Sequence, residues 1–478
     1  MDSNEFRKQA HLMVDWMADY MVQVEDYPVK SQVAPRTIYD QINSDIPKQG
    51  QAMEPIFNDF KEIIMPGITH WQNPNFFAYF QANTSPPSIL AEMLTATLGV
   101  QGMKWETSPA ATELEERMME WLGNGIGIPK QWAGVIQDSA SMATLSAILT
   151  ARERLSKYQI NEEGFDGYTK LRVYCSDQTH SSIEKGAKIA GVGKSNVIKI
   201  PTNEQLEMRT DLLRQQIESD IKQGYQPLCI VAALGTTGTM AMDPLEEIGM
   251  LAEKHNIWLH VDAAYAGAAF LLPEYQSLMK GIEKADSFVF NPHKWLFTNF
   301  DCTAYFVKDK KGLLNTFSIL PEYLKTASDG LVNNYCDWGI PLGRRFRSLK
   351  LWFVMRHYGL VGLQKMLRLH IEIAAWLEAE LKKKPTFEMV VPRSMNLICF
   401  RYMPEGVEDQ EQLNTINEQL LQSLNATGQL YLTHTKIDGK YTLRMSIGQT
   451  NVAKSHVEKA WEIIQKVADE IPRNGKIE

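Results

Sequence analysis

A lysine in the middle of the chain follows a short run of β-branched and aromatic residues. Lys294 lies in the sequence Asn-Pro-His-Lys-Trp (291–295), directly after the run 286–290, which is typical of a buried strand. A lysine at the end of such a strand loses part of its hydration, which disfavours the ammonium form and lowers its pKa. The neutral amine can then attack a carbonyl carbon. Most lysines that follow strands are solvated, so this position alone is a weak indication of a nucleophile.

A second candidate, Asp262, follows the strand-like run 257–261 and precedes Lys294 by 32 residues, enough chain for a helical crossover and another strand. The pair fits pyridoxal 5'-phosphate (PLP), because lysine binds this cofactor covalently and an anion opposite the ring nitrogen keeps the pyridine protonated. The commoner role of such an aspartate is to cap a helix. Small residues at 263, 264 and 266 weigh against a cap alone, and Ala264 would let a flat ring lie close.

The tripeptide Ser139-Ala140-Ser141 separates a predicted strand from a helix that is predicted to begin near residue 142. Backbone N–H groups and the macrodipole at a helix start bind anions, and serine hydroxyls add donors. The tripeptide is therefore a candidate phosphate site. The alternative is an ordinary serine N-cap, which is the more frequent arrangement when nothing else supports a ligand.

The elements that would position these residues alternate between strands and helices from about residue 85 to 340. Strands are predicted at 133–137, 172–176, 196–200, 229–234, 257–261, 287–290 and 303–307, and helices such as 142–157, 181–190 and 209–223 separate most of them. This alternation predicts a mostly parallel sheet with helices on both faces, whose ligands bind beyond the carboxyl ends of the strands. A helix at 349–358 leads to a smaller domain, with strands near 397–401, 429–435 and 441–447 and a last helix at 452–467.

Composition excludes several classes of protein. The net charge of −8 over 478 residues argues against nucleic-acid binding, which needs a concentrated basic face. The sequence has no run of about 18 apolar residues, so no membrane span is predicted. The polar N-terminus lacks the apolar core of a signal peptide. The five cysteines form no Cys-x-x-Cys pair, so neither a disulfide framework nor a metal site is expected. We therefore expect a cytoplasmic protein without a metal.

The N-terminal residues 5–22 predict an amphipathic helix with a wide apolar stripe. Such a stripe is too apolar to stand alone, so we expect it to pack against a second subunit. Its members are Phe6, Ala10, Met13, Trp16, Met17 and Tyr20.

Six segments in one order resemble the aromatic-L-amino-acid decarboxylases of the PLP-dependent group II decarboxylase family. They are FFAYF (76–80), SPAATELE (108–115), SDQTHSSIEK (176–185), WLHVDAAYAG (258–267), DSFVFNPHKW (286–295) and PLGRRFRSLKLWFV (341–354). The resemblance implies an α/β, PLP-dependent transferase-like fold (fold type I) with a mostly parallel seven-stranded sheet. It implies a dimer-swapped helical segment (1–80), a large PLP-binding domain (81–350) and a small C-terminal α+β domain (351–478). It also implies a homodimer with active sites at the subunit interface.

The resemblance also implies roles for single residues. Lys294 would hold PLP, Asp262 would face the ring nitrogen, and the imidazole of His180 would stack on the ring opposite Ala264, although a lone histidine at such a position is usually an ordinary loop residue. Tyr323 would lie on a closing loop and donate a proton, whereas relatives that make aldehydes tend to carry phenylalanine there; the alternative is an anchoring aromatic. The remaining cofactor contacts would be Ser139, Ala140, Ser141, Thr237, Asn291 and His293.

The substrate pocket is where the chain departs from its animal relatives. Gly343 leaves room for a phenol or an indole where histidine decarboxylases typically carry serine, although it could equally be a turn glycine. The other pocket residues would be Trp71, Tyr79, Phe80, Gln81, Gln101 and Met103, and the last three differ from the animal pattern. The sequence thus predicts decarboxylation of tryptophan, tyrosine, phenylalanine or DOPA. The alternatives are an aromatic acetaldehyde synthase, a histidine or glutamate decarboxylase, and a catalytically dead homologue that acts as a binding protein.

Overall fold

The computed structural model describes residues 1–167, 170–319 and 331–472. The chain divides into two compact units, a larger one of residues 82–369 and a smaller one in which residues 1–81 join residues 370–478. The helices are α1 (Ser3–Gln23), α2 (Thr37–Gln41), α3 (Met53–Asp59), α4 (Pro86–Leu98), α5 (Pro109–Ile126), α6 (Ala140–Ser156), α7 (Gln159–Glu163), α8 (Ser182–Ile189), α9 (Thr210–Lys222), α10 (Leu245–His255), α11 (Pro292–Trp295), α12 (Lys310–Phe317), α13 (Arg347–Lys382), α14 (Gln410–Ala426) and α15 (Lys454–Glu470). The strands are β1 (Ala133–Gln137), β2 (Leu171–Ser176), β3 (Val197–Ile200), β4 (Gln226–Ala233), β5 (Trp258–Asp262), β6 (Ser287–Phe290), β7 (Thr303–Val307), β8 (Phe387–Met389), β9 (Leu397–Tyr402), β10 (Thr433–Ile437) and β11 (Lys440–Ser446).

The larger unit is built on a seven-stranded sheet of order β1-β7-β6-β5-β4-β2-β3. Strand β7 is antiparallel to both of its neighbours, and the remaining pairs are parallel. The predicted mostly parallel α/β sheet is therefore confirmed. Because β1 also runs in the common direction, its carboxyl end lies at the same edge of the sheet as those of β2, β4, β5 and β6.

Both faces of this sheet are covered, so its central strands consist almost entirely of buried residues. Val173, Val231 and Val289 pack beneath α6 and α8 in one continuous core, in which Leu145 and Ile148 come from α6. The strands of such a sheet are continuous hydrophobic runs in the sequence because both faces of the sheet are buried. That is why the sequence located β5, β6 and β7 to within one residue.

The smaller unit contains a four-stranded antiparallel sheet of order β10-β11-β9-β8, which packs with α14 and α15 in a second core. The short strand β8 and helix α14 had no counterpart in the sequence prediction. The strand predicted at 429–435 begins only at Thr433, because the preceding residues pair elsewhere: Phe77 donates its N–H to the carbonyl of Tyr431 (3.0 Å). Phe77 itself is fully buried in this core, which explains why the N-terminal residues belong to this unit.

Helix α1 confirms the predicted amphipathic helix but buries none of its residues. Trp16 packs edge-on against Phe57 and Phe60, and the hydroxyl of Tyr20 shares a hydrogen bond with His70 (2.8 Å). Much of the remaining helix surface is open to solvent. Its exposed apolar side chains are Phe6, Leu12, Val14, Met21 and Val22.

The described residues contain neither a membrane-spanning helix nor a cluster of potential metal ligands. No helix within 1–167, 170–319 and 331–472 is long and apolar enough to cross a membrane. In the same parts of the chain, no three His, Cys, Asp or Glu side chains are grouped so that they could ligate a metal.

Gly267 provides a test of how the strand ends are spaced. It lies just after β5, and a Cβ atom there would overlap Phe290, the last residue of β6. We expect Gly267→Ala to lower the free energy of unfolding by about 1–3 kcal/mol, the usual cost of overpacking a core. Urea unfolding measures this, with Gly50→Ala as the control because a Cβ at Gly50 meets no atom within 4 Å. Equal stability of the two variants would contradict the close approach of Gly267 to Phe290.

Candidate active site

The chemically competent residues follow the carboxyl ends of parallel strands at one edge of the larger sheet. Asp262 ends β5, Lys294 lies four residues beyond β6, and His180 lies four residues beyond β2. Ser139 follows β1, and Thr237 follows β4. Because these strands run in the same direction, residues that are far apart in sequence lie at one edge of the sheet. Open α/β sheets bind their ligands at this edge.

Lys294 is half-buried in the single turn α11. Its N–H donates to the carbonyl of Asn291 (2.9 Å), and its own carbonyl accepts from Nδ2 of Asn83 (2.6 Å), so the backbone on both sides is fixed. Loss of hydration is the largest influence on the amine and lowers its pKa, while the carboxylate of Asp262 opposes that shift. The amine is thus biased toward its nucleophilic neutral form.

Asp262 is the electrostatic partner of Lys294. Burial raises the pKa of its carboxyl group, whereas a hydrogen bond from the N–H of Ala264 (3.0 Å), Lys294 and His180 lower it. No α-helix begins here; the chain continues into the 3₁₀ segment Ala266–Leu271, whose N-cap is Tyr265. The helix-cap interpretation of Asp262 is therefore wrong. Asp262 is therefore a partly desolvated carboxylate, and a further cation beside it would stabilise its charged form.

His180 completes a group of three titratable side chains that influence one another. Although its ring is partly open to solvent, desolvation is the main influence and lowers its pKa; Asp262 raises the pKa and Lys294 lowers it. The N–H of Ser182 donates to Nδ1 (3.1 Å), so in the neutral ring the proton lies on Nε2. The imidazole can therefore present an N–H donor from Nε2.

The tripeptide 139–141 forms the start of the long helix α6. Ser139 is the N-cap: its hydroxyl oxygen accepts from the N–H of Met142 (3.2 Å), and the hydroxyl donates to Asp138 (2.8 Å). The ordinary-cap alternative thus holds for Ser139. It does not exclude the anion site, because the N–H groups of the first turn, including Ala140 and Ser141, have no partner within the helix.

Two further predicted cofactor residues hold the strand ends together. Asn291 is buried, donates its N–H to the carbonyl of Ala264 (3.0 Å) and accepts at Oδ1 from the hydroxyl of Thr303 (2.8 Å). His293 is buried, and its Nδ1 accepts from the N–H of Cys302 (2.9 Å). Burial lowers the pKa of His293 to about 3, so it is neutral. Contacts of these side chains, and of the exposed Thr237, with a cofactor stay predictions.

Sequence reasoning missed a buried hydrogen-bond chain beneath the site. His260 bonds through Nε2 to the hydroxyl of Thr144 in α6 (3.3 Å) and through Nδ1 to the hydroxyl of Ser287 in β6 (2.9 Å). Ser287 also accepts from Nε1 of Trp258 (2.9 Å). The chain joins the elements that carry the tripeptide, Asp262 and Lys294. Its only sequence signal was a histidine two positions before Asp262, on the same side of β5.

The predicted substrate residues are divided between the two units. In the larger unit, Oε1 of Gln101 accepts from the N–H of Arg344 (2.6 Å), next to Gly343, and the carbonyl of Met103 accepts from the N–H of Cys336 (2.9 Å). Substrate contacts of Gln101, Met103 and Gly343 stay predictions.

In the smaller unit, Trp71 stacks with Tyr79 (ring centroids 5.8 Å apart), and Arg444 lies over the ring of Phe80. Gln81 is fully buried, and its Nε2 donates to the carbonyls of Phe76 and Ser446. The side-chain amide of Gln81 is thus hydrogen-bonded to the backbone of its own unit. These bonds give no support to its predicted contact with the substrate. Tyr323 lies outside the described residues.

The arrangement fits the functional groups of PLP. Lys294 can attach to an aldehyde, and Asp262 would gain a cationic neighbour from a protonated pyridine nitrogen. The start of α6 can receive a phosphate, and the small Ala264 leaves space for a flat ring. Each group of the cofactor thus has a matching residue at the same sheet edge, which defines the class as a fold type I PLP enzyme.

Comparisons with known proteins agree with this class. The model of the pyridoxal-dependent decarboxylase conserved domain matches residues 35–403. Phenylacetaldehyde synthase of Arabidopsis thaliana is 42% identical, with 98% of this chain and 96% of that protein aligned. Tryptophan decarboxylase 2 of Oryza sativa subsp. japonica is 40% identical over the same shares. The crystal structure of an Oryza sativa TDC with PLP and tryptamine superposes with a TM-score of 0.95 at 34% identity, covering 98% of this chain and 99% of that one.

The chain therefore belongs to the pyridoxal-dependent decarboxylase family. It is a decarboxylase of amino acids, and its cofactor is PLP. The fold type I architecture expected from the sequence is confirmed by the same comparisons and by the seven-stranded sheet.

The buried His260 makes stability depend on pH. Burial lowers its pKa from 6.5 to about 3, so the stability gained from its neutral form is complete above pH 6.5 and is lost as the pH falls toward 3. As the pH falls from about 7 to about 4, we expect the free energy of unfolding of His260→Gln to decrease less than that of the parent. Urea unfolding at each pH measures this. His357→Gln, at an exposed position of the same unit, is the control. Parallel pH profiles of the parent and His260→Gln would contradict a titrating group at the centre of the sheet.

Proposed function

We propose that this protein decarboxylates an aromatic L-amino acid, namely tryptophan, tyrosine, phenylalanine or DOPA, to the corresponding amine and carbon dioxide. The mutual electrostatic interaction of Lys294, Asp262 and His180 at one sheet edge is the observation that carries the proposal. The similar proteins support an aromatic substrate, since one is a tryptophan decarboxylase and another a phenylacetaldehyde synthase. Gly343 supports a substrate with a large ring.

In the proposed mechanism, bound PLP supplies an electron sink for the carbanion that decarboxylation leaves. The amine of Lys294 would hold the cofactor, Asp262 would keep its ring nitrogen protonated, and the N-terminus of α6 would bind its phosphate. The imidazole of His180 and the small Ala264 would orient the ring through flat contact. The hydroxyl of Tyr323 or Nε2 of His180 would supply the proton that the α-carbon needs.

Lys294→Ala tests the central assignment. We expect turnover to be lost and the fold to be kept, because no other amine lies beside Asp262 among the described residues. Carbon dioxide release measures activity, and circular dichroism measures folding. Lys254→Ala, at an exposed lysine of α10, should behave as the parent does. Borohydride treatment followed by peptide mapping should find the cofactor on Lys294. A label on another lysine, with activity retained in the variant, would refute the assignment.

A second candidate function, aromatic acetaldehyde synthesis, is kept because one similar protein is a phenylacetaldehyde synthase. That reaction consumes oxygen and releases ammonia and hydrogen peroxide with the aldehyde. The tyrosine at 323 supports plain decarboxylation, since relatives that form aldehydes tend to carry phenylalanine there. Gly343 supports an aromatic substrate over histidine, for which related enzymes typically carry serine.

Tyr323→Phe separates the two chemistries. We expect the variant to keep PLP and substrate but to make much less amine, with aldehyde and peroxide appearing, because the hydroxyl that would protonate the α-carbon is gone. Chromatography of the products and a peroxide assay measure the change, with Tyr275→Phe as the control. An undiminished amine yield would show that the proton comes from elsewhere, and peroxide from the parent enzyme would favour the synthase.

We also propose that the active enzyme is a homodimer whose subunits share their active sites. The exposed apolar side chains of α1 support this, because burying each large one is worth roughly 1.5–3 kcal/mol. The proposed dimer keeps the three-part division of the chain, with 1–80 exchanged between subunits, 81–350 binding PLP and 351–478 forming the small domain. The scattered free cysteines support a cytoplasmic location.

Removal of residues 1–25 should weaken the dimer and the activity together, because it deletes the apolar helix α1. Analytical ultracentrifugation at nanomolar concentration measures the first effect, and a decarboxylation assay measures the second. The point variant Phe6→Asp should act in the same direction, whereas Lys8→Asp, at a polar exposed position of α1, should not. A truncated chain that remains dimeric and active would argue against the proposal, as would a fully active monomer.

A further inference from the structure

A cavity of about 400 Å³ lies beside the amino end of β1, whereas the candidate active site follows the carboxyl ends of the strands. Ala133 and Gly134 of β1 line it, together with Phe306, which pairs with Gly134 from β7. Because a strand rises by about 3.3 Å per residue, β1 puts roughly 13 Å between Ala133 and Gln137. None of the residues predicted to contact the cofactor or the substrate lines this cavity, so it is a space separate from the active site.

Aromatic side chains form one part of the cavity wall. Cavities that bind small molecules have volumes of roughly 300–1,000 Å³ and combine apolar walls with a few polar groups. Aromatic rings pack well against other flat rings in offset or edge-on arrangements. The wall is therefore suited to an aromatic ligand. Its aromatic members are Trp132, Phe306, Tyr335 and Trp338.

Trp132 brings to this wall a hydrogen-bond donor that lacks an acceptor. Its side chain is only 8% exposed, and its Nε1 has no hydrogen-bond partner within the described part of the chain. An indole N–H can only donate, and a buried donor without a partner costs free energy. Two other tryptophans satisfy this group, since Trp258 donates to Ser287 and Trp105 donates to Glu113. An oxygen atom of a ligand would supply the acceptor that Trp132 lacks.

Glu116 gives the same cavity a carboxylate that is not paired with a cation. The side chain is half-buried, Oε1 accepts from Nδ2 of Asn333, and no ion pair joins Glu116 to any residue of 1–167, 170–319 and 331–472. Burial raises the pKa of Tyr335 well above its usual range, and the carboxylates of α5, Glu116 among them, raise it further. The cavity thus has a negative potential that favours a cationic group.

The basic side chains around the cavity do not cancel this charge. Nζ of Lys310 donates to Oδ1 of Asn333 (2.6 Å), and Lys130 is exposed. Arg117 borders an adjoining polar cavity and pairs with Glu120 at the protein surface (2.6 Å). The carboxylate of Glu116 is therefore left for a ligand.

We propose that this cavity is a second binding site, which takes a primary amine that carries a hydroxylated aromatic ring. The ammonium group pairs with Glu116, the ring lies against the aromatic wall, and the hydroxyl oxygen accepts from Nε1 of Trp132. This ligand class follows from the lining residues and does not depend on the proposed reaction. It is also the class of amine that decarboxylation of tyrosine or DOPA forms, so under the proposed function the enzyme binds its own product away from the active site.

Titration calorimetry of the PLP-loaded full-length enzyme with tyramine tests the ammonium contact. We expect the parent to bind one more equivalent per chain than Glu116→Gln, whose second site should be weakened at least about tenfold because a charged hydrogen bond is lost. Glutamine still accepts from Asn333, so the Tm of the variant should stay close to that of the parent. The control Glu204→Gln removes the same charge at an exposed position of the larger unit and should bind tyramine as the parent does.

The hydroxyl contact is tested by comparing tyramine with phenethylamine, which lacks only the hydroxyl group. At the second site of the parent we expect tyramine to bind about fivefold more tightly, the usual effect of one hydrogen bond. Trp132→Phe should abolish this preference and leave the affinity for phenethylamine nearly unchanged. Trp121→Phe, at an exposed tryptophan of α5, should keep the preference.

The outcomes separate the site from the proposed function. Equal stoichiometry and affinity for tyramine in the parent and in Glu116→Gln would overturn the site. A preference for tyramine that survives in Trp132→Phe would overturn the hydroxylated ring as the ligand class, and this comparison decides even if Glu116→Gln does not fold. A parent that forms no amine from any aromatic amino acid would overturn the proposed function alone, because the calorimetric comparison needs no turnover.

Discussion

The site depends on a lysine and an aspartate that are both partly removed from water at adjacent strand ends. Burial pushes the pKa of Lys294 down and that of Asp262 up, and each group opposes the shift of the other. In open solvent neither pKa would be shifted in this way. The pairing requires β5 and β6 to be parallel neighbours, which their register provides through the pairing of Asp262 with Val289.

The residues around this pair keep the strand ends fixed. The N–H of Ala263 donates to the carbonyl of Val289, and the N–H of Asn291 donates to the carbonyl of Ala264, so the two strand ends are joined on both sides of the pair. Below them, the buried His260 connects β5 to β6 and to α6. The same sheet therefore both lowers the polarity around the charged groups and limits their movement.

The parts of this arrangement that follow local rules were predictable from the sequence. The central strands β5, β6 and β7 are continuous apolar runs, and Lys294 and Asp262 were identified because they directly follow two of them. The amphipathic helix α1 was located from its periodicity in the same way. These signals are short-range, since they depend on residues close together in the chain.

The contacts that sequence reasoning missed join residues that are distant in the chain. Gln101 and Arg344 are 243 positions apart, and Thr144 and His260 are 116 apart. Nothing in the local sequence of either partner indicates the other. The shortened strand β10 has the same origin, because the residues before it pair with the N-terminal Phe77 instead of continuing the hairpin. Packing determines which residues pair over long sequence separations, and local propensity contains no information about it.

The position of β1 at the edge of the larger sheet has a consequence for how the chain is assembled. As the edge strand, β1 has β7 as its neighbour, and β7 is encoded about 170 residues later. During synthesis on the ribosome, the segment that leads into Ser139 therefore emerges long before the strand that will hold it. The nascent chain must carry β1 without a sheet partner until residues 303–307 have been added, so the N-terminal end of α6 is among the last parts of the larger unit to reach its final place.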